Sequence, residues 1–140
     1  MRVAIVGVCG SGKTELARRL AARGVEVHPV AQEHSHVPGL WRHEGVPDLL
    51  VYLSASARVV RRRGKAMTAA ELAEQRRRLA DARRHAHLRI RTDSLSPAQV
   101  EQAALARLAR QTADGRRRTA EERRRSARAS RRTRRGSESE

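Results

Sequence analysis

The apolar positions fall into short runs separated by stretches rich in glycine or arginine. Val3, Ala4, Ile5 and Val6 follow one another without alternation, and Gly7 ends the run. An unbroken run of that length and composition predicts a strand over Arg2–Val6, buried on both faces. Past a glycine-rich turn the period changes. Leu16 and Leu20 stand four apart with Ala17 and Ala21 beside them, and Gly24 follows. This predicts an amphipathic helix over Lys13–Ala22 with a glycine C-cap. Val25–Ala31 (VEVHPVA) predicts a second strand, which Pro29 assigns to a sheet edge or a bend. Residues 34–47 carry Pro38, Gly39, Gly45 and Pro47 and predict irregular chain. Asp48–Leu53 (DLLVYL) predicts a third strand, apolar on both faces and therefore central and parallel.

Helix signals dominate the second half. Ser56 is placed to cap a helix over Ala57–Arg63 that Gly64 ends. Thr68 and Glu71 make a capping box for a helix of about fifteen or more residues. Leu72, Leu79 and Ala86, seven apart, form its narrow apolar stripe. Leu88–Arg91 predicts a fourth strand. Ser96, Pro97 and Gln99 supply a cap, an N1 proline and a capping-box partner for a last helix. Val100, Ala104 and Leu108 line one face of it. Residues 112–140 contain no Leu, Ile, Val or aromatic residue. Such a stretch buries too little apolar area to offset ordering entropy. The expectation is a domain over 1–111 and a disordered Arg-rich tail over 112–140, with transient helix around 116–128. Strands alternating with helices predict an α/β domain. Its small parallel β-sheet is flanked by helices in three layers.

The first turn carries the chemistry. Gly7-Val8-Cys9-Gly10-Ser11-Gly12-Lys13-Thr14 fits GxxxxGK[ST] without a gap. A loop that wraps a polyphosphate with backbone N–H groups needs glycine at its tight positions. The helix that follows begins at the phosphates, where its free N–H groups favour negative charge. Lys13 can reach the β- and γ-oxygens, and the Thr14 hydroxyl can ligate Mg2+. Composition strengthens the case for Lys13. Of the 31 basic residues among 140, only Lys13 and Lys65 are lysines, so a lysine here is not one basic residue among many.

The net charge of +16 favours polyanionic partners without choosing among nucleic acid, nucleotides and anionic lipid. Twenty basic and ten acidic residues lie within 1–110, so the excess is spread along the chain. The tail Arg116–Arg135 lacks aromatics, which limits any nucleic-acid contact to phosphates. A single cysteine, Cys9, excludes a disulfide within the chain and suits a reducing compartment. Val3–Val6 is too short for a signal-peptide core or a membrane span. A cytoplasmic protein with no membrane partner is expected.

The GxxxxGKT run resembles the P-loop NTPases. Two further segments are similar to the P-loop nucleoside and nucleotide kinases, the group of thymidylate, deoxynucleoside and shikimate kinases. One is Pro47–Leu53 (PDLLVYL) followed by Ala57–Gly64 (ARVVRRRG). The other is Ala86–Val100 (AHLRIRTDSLSPAQV). The resemblance implies ATP, Mg2+ and transfer of the γ-phosphoryl group to a small acceptor, a reaction that rests on positioning and charge neutralisation. It implies that Arg61, Arg62 and Arg63 match the arginines that stabilise the transferring group, with Arg76–Arg78 as alternates. It implies a base or metal-shell role for Glu33, just past the second strand. Two departures stand out. Ser54 ends strand three where many relatives carry Asp, and only residues 32–47 separate strands two and three. The shortness of that segment keeps a P-loop ATPase or GTPase without a small acceptor as an alternative. The basic surface keeps a nucleic-acid-binding accessory protein as another. Asn is absent, so no NKxD guanine-reading run exists, and ATP is expected over GTP.

His34, His36 and His43 lie in one loop with Glu33 and Glu44. Spacing of i, i+2 on a loop favours exposed or pocket-lining roles over a metal centre. Trp41 reads as an anchor for that loop. Cys9 reads as a small filler of the phosphate loop.

Overall fold

The computed structural model describes residues 1–137. Four strands, β1 (Arg2–Gly7), β2 (Glu26–Pro29), β3 (Leu49–Ser54) and β4 (Leu88–Arg91), make one sheet in the order β2-β1-β3-β4. Every pairing is parallel. The buried strands β1 and β3 sit in the middle, as unbroken apolar runs require, and Pro29 falls on the edge strand β2.

Side chains alternate across the sheet and build a core on each face. Val3 and Ile5 of β1 join Leu49, Val51 and Leu53 of β3 on one face. There they meet Leu16, Ala17 and Leu20 of α1 (Lys13–Ala22) and Val100 and Ala104 of α5 (Pro97–Ser137). Ala4 and Val6 join Leu50 and Tyr52 on the other face. They pack on Val59 and Val60 of α2 (Ala57–Arg62), Leu72 of α3 (Ala69–Arg78), Ala82 of α4 (Ala80–His85) and Trp41. Helices therefore flank the parallel sheet on both faces.

The expected caps form. Ser56 Oγ accepts from Val59 N–H, and Thr68 Oγ1 accepts from Glu71 N–H. Ser96 N–H donates to Gln99 Oε1 while Gln99 N–H donates to Ser96 Oγ, a reciprocal capping box. Two expectations change. The long helix after Thr68 is two helices that break at Leu79, although neither proline nor glycine stands there. Leu79 is fully buried, and the bend lets Leu72, Leu79 and Ala82 all reach the same core. The stretch expected as a disordered tail is helical as far as it is described. α5 continues to Ser137, and residues 138–140 of the expected tail lie outside the described residues. Alanine, arginine and glutamate are strong helix formers, and ion pairs Arg117–Asp114 and Arg125–Glu121 lie along the exposed surface. The chain divides into two compact units, Met1–Leu108 and Ala109–Glu140. Among the described residues no helix is long and apolar enough to cross a membrane.

Candidate functional site

Sheet topology says where to look. The connection from β1 leads to β2 on one side, and the chain then crosses to β3 and β4 on the other. The strand order reverses between β1 and β3. A crevice at the carboxyl ends of the strands at such a reversal is where open α/β sheets bind ligands. The Gly7–Thr14 loop leaves β1 at that point.

Glycine is required in the loop for two different reasons. A Cβ on Gly7 would fall 2.6 Å from Ser11 Oγ and strike the Leu53 carbonyl. Gly12 faces open space, but its φ of +102° is a conformation that L side chains rarely adopt. Gly12 is also the N-cap of α1 and offers no side-chain acceptor to the first-turn N–H groups. Those donors, at the positive end of the helix dipole, are free for an anion.

Lys13 folds back over the loop. Its Nζ donates to the Gly7 carbonyl at 2.6 Å, to the Val8 carbonyl at 3.3 Å and to Glu33 Oε2. The side chains of Lys13 and Glu33 are 15% and 3% exposed, so this ion pair lies under the loop rather than on the surface. Glu33 comes from a single 3-10 turn, Gln32–His34, just past β2. Gln32 fixes that turn: its amide donates to the Val37 carbonyl at 2.7 Å and its Oε1 accepts from Trp41 N–H at 3.0 Å. Trp41 is buried and its indole N–H reaches Asp81 at 2.9 Å, an anchor as expected. Thr14 is exposed on the first turn of α1, open to a bound ion.

The arginines divide sharply. Arg63 donates to the Gly10 carbonyl at 2.7 Å, to Thr92 Oγ1 at 3.0 Å and to the Thr92 carbonyl at 2.9 Å, so it braces the loop against the end of β4. Arg61 bonds its own helix at the Ala57 carbonyl, and Arg62 is exposed. Arg76 reaches the Ala55 carbonyl at 3.3 Å, Arg77 pairs with Glu74, and Arg78 donates to the Glu33 carbonyl at 3.4 Å. Arg63 therefore bonds the loop and Arg78 the turn that carries Glu33, and among the described residues no hydrogen bond joins Arg61, Arg62 or Arg77 to either. Asp93, in the turn after β4, accepts from Ser56 N–H at 2.8 Å. That backbone donor holds its carboxyl below the usual range, and Arg91 adds to the effect.

One participant was missing from the sequence reading. Gln75 Oε1 accepts from Cys9 N–H at 3.0 Å, and its amide donates to Cys9 Sγ at 3.3 Å. The side chain of α3 thus takes up one N–H of the loop. The signal was present: Gln75 is a polar residue on the face that Leu72 and Leu79 mark as buried.

Three buried side-chain atoms have no hydrogen-bond partner among the described residues: Ser11 Oγ inside the loop, Glu33 Oε1 beneath it and Arg78 Nε on α3. Next to Ser11 and Gly12 opens a cavity of about 280 Å3, walled by Leu16, Leu95 and Val100, with Arg63 and Thr92 at its rim. Glycine backbone, orphaned polar atoms and an adjoining apolar cavity fit a nucleoside polyphosphate with a hydroxyl-ligated cation. No family model and no curated protein matches the chain.

Proposed function

We propose that this protein is a P-loop NTP-binding protein of the three-layer P-loop fold. In this reading it transfers the γ-phosphoryl group of ATP to a small acceptor. The observation that carries the reading is the GxxxxGKT loop at the β1/β3 reversal, with its lysine held in reserve on a buried carboxylate. Glu33 and the Gly7 and Val8 carbonyls hold the ammonium that would serve the phosphate oxygens. Polyphosphate offers Lys13 more negative charge than one carboxylate does, and the ammonium is mobile enough to move. Loop N–H groups and the start of α1 then hold the phosphates. The apolar cavity beside Gly12 accommodates a base. Thr14 Oγ1 would hold Mg2+, which neutralises charge on the phosphates. Lys13 leaving Glu33 exposes a carboxylate that can accept the acceptor's hydroxyl proton or join the metal shell. Arg63 already faces the loop and is the arginine best placed to approach the transferring group.

The acceptor side is small. Residues 32–47 pack on themselves through Gln32 and Trp41, and a cavity of about 330 Å3 remains between His36 and Arg77, Arg78 and Arg84. Glu74 and Asp81 also line it and pair with these arginines, and the one positive charge left in excess suits a compact anionic acceptor. The same shortness favours the second reading, a nucleotide hydrolase with no acceptor. Calorimetry with Mg2+-ATP and Mg2+-GTP tests the shared part. Saturable binding that Lys13→Ala abolishes is expected, and unchanged binding in Lys13→Ala would refute it. A screen of small anionic metabolites by thermal shift separates the two readings. A stabilising metabolite that becomes phosphorylated supports transfer. Phosphate release that no metabolite stimulates supports hydrolysis.

A further inference from the structure

The fold brings Cys9 to two metal-ligating groups, Glu33 and His34, that follow it by more than twenty residues. Cys9 comes from the phosphate loop, and Glu33 and His34 from the 3-10 turn after β2. Cys9 Sγ stands 3.3 Å from His34 Nε2. Sγ of Cys9, a ring nitrogen of His34 and a carboxylate oxygen of Glu33 all lie within 4.8 Å of one another. Spacing alone assigns His34 no such role, because its histidine neighbour His36 stands at i, i+2 on a loop. The partner that matters is 25 residues upstream.

Three further observations point to a ligand here. Glu33 is 2% exposed, and its Oε1 has no hydrogen-bond partner among the described residues. A buried carboxylate oxygen left without a donor is costly unless a cation or proton meets it. Lys13 holds the other oxygen, Oε2, so the carboxylate is fixed in place while Oε1 stays open. The supporting shell is also built. Gln75 donates to Cys9 Sγ at 3.3 Å, and Arg78 donates to the Glu33 carbonyl. Outer hydrogen bonds of this kind orient ligands and tune a metal site.

We propose that Cys9 Sγ, His34 Nε2 and the Glu33 carboxylate form a three-ligand site for a thiophilic divalent ion, with Zn2+ the natural occupant. Sulfur and imidazole exclude Mg2+ and Ca2+, which prefer oxygen, and the mixed S, N, O set with an open fourth position matches zinc. Zinc bonds of about 2.0–2.3 Å put tetrahedral ligands about 3.2–3.8 Å apart. The Cys9–His34 pair is already at that spacing. His34 is exposed on its short turn and free to close the remaining gap. Thiolate and carboxylate offset the two charges of the ion, and Lys13, retained on Oε2, leaves the cluster one charge positive. Binding displaces the thiol proton to solvent. The proposal stands without the nucleotide reading. Where both hold, Zn2+ and a Mg2+-nucleotide draw on the same Glu33.

The test uses the full chain under a metal-free reductant and Co2+ as the probe. One equivalent of Co2+ is expected to produce a thiolate-to-cobalt charge-transfer band and the intense visible bands of a four-coordinate ion. Zn2+ should displace it stoichiometrically. Cys9→Ser should remove the charge-transfer band, and His34→Ala and Glu33→Gln should each weaken Co2+ binding by at least tenfold, on the order of 10–100-fold or more. His36→Ala and His43→Ala should leave it unchanged. Circular dichroism of each variant confirms folding. If Glu33→Gln unfolds, His34→Ala still decides, because that side chain is exposed. Absence of the charge-transfer band, or His34→Ala with unaltered affinity, overturns the site. Nucleotide binding measured in the same protein without transition metal reports on the other reading separately.

Discussion

The Gly7–Thr14 loop has two unlike banks. On the Gly10–Gly12 bank, Arg63 and Thr92 bond backbone carbonyls, and an apolar cavity opens beside Leu16 and Val100. On the Cys9 bank, functional groups bond one another: Lys13 with Glu33, Gln75 with Cys9, Cys9 with His34. One bank holds the loop's shape, and its contacts can persist with ligand present. The other engages the groups that would meet a ligand, and its contacts must exchange. A loop built this way is rigid where it must fit and closed where it must act. The substitutions below separate the two banks, from the largest expected effect to the smallest.

Lys13→Ala should be the most disruptive. It leaves Glu33 buried with no cation, and removing one partner of a buried pair costs about 3 kcal/mol or more. Adding Glu33→Gln should recover a large part of that loss, because the uncompensated charge is gone. Urea unfolding of the two single variants and the double variant forms a cycle that reads the coupling. Additive losses would mean that the pair is not coupled, and the comparison of banks would fail.

Arg63→Ala comes next, on the shaping bank. Three hydrogen bonds from one guanidinium are lost, and bonds to charged groups contribute about 1.5–3 kcal/mol where buried. Arg63 is an exposed residue, so a loss of about 1–2 kcal/mol is expected. Nucleotide affinity should fall with it, since Gly10 and Thr92 are no longer held together. Gln75→Leu acts on the other bank and should cost about 1 kcal/mol, the worth of an ordinary hydrogen bond. Its effect on ligand binding should have the opposite sign. Cys9 N–H no longer has to be released, so Mg2+-ATP is expected to bind several-fold more tightly by calorimetry. Weaker binding in Gln75→Leu would place Gln75 among groups that hold ligand rather than groups that yield to it.

The two banks were not equally legible in the sequence. Gly7, Gly12 and Lys13 announce themselves because their roles rest on backbone geometry and a fixed spacing. The caps at Ser56, Thr68 and Ser96 are local for the same reason, and each forms. Gln75 and His34 act across 66 and 25 residues, and only the packing of α3 and the 3-10 turn brings them to Cys9. Arg63 was hidden differently: in a chain this rich in arginine, residue type carries no information, and only position separates Arg63 from Arg62. Beyond residue 111 large apolar residues are absent while the helix formers alanine, arginine and glutamate abound, and the chain is helical as far as Ser137. An exposed helix needs the second and not the first.

The smallest effect is a dependence on acid, and it should appear on the shaping bank. Val100, which walls the cavity, belongs to the part of α5 that Glu101 ties to α1. Glu101 accepts from Arg19 at 2.8 Å and Arg23 at 2.5 Å. Those two hydrogen bonds, Arg19 first, hold its carboxyl below the ordinary value. Asp93, which accepts from Ser56 N–H, is lowered as well. A carboxylate whose folded pKa is depressed contributes stability above its unfolded pKa, and that contribution is lost as pH falls through the folded value. Acid should therefore loosen α5 from α1 and Ser56 from Asp93. Hydrogen exchange, corrected for intrinsic rate, should speed up at Ser56 N–H and in the first turns of α5 as pH falls below the ordinary carboxylate range. In Glu101→Gln the α5 turns should exchange faster at neutral pH and respond less to acid, while Ser56 keeps its full response. Equal acid sensitivity of the α5 turns in both proteins would show that Glu101 does not tie α5 to α1.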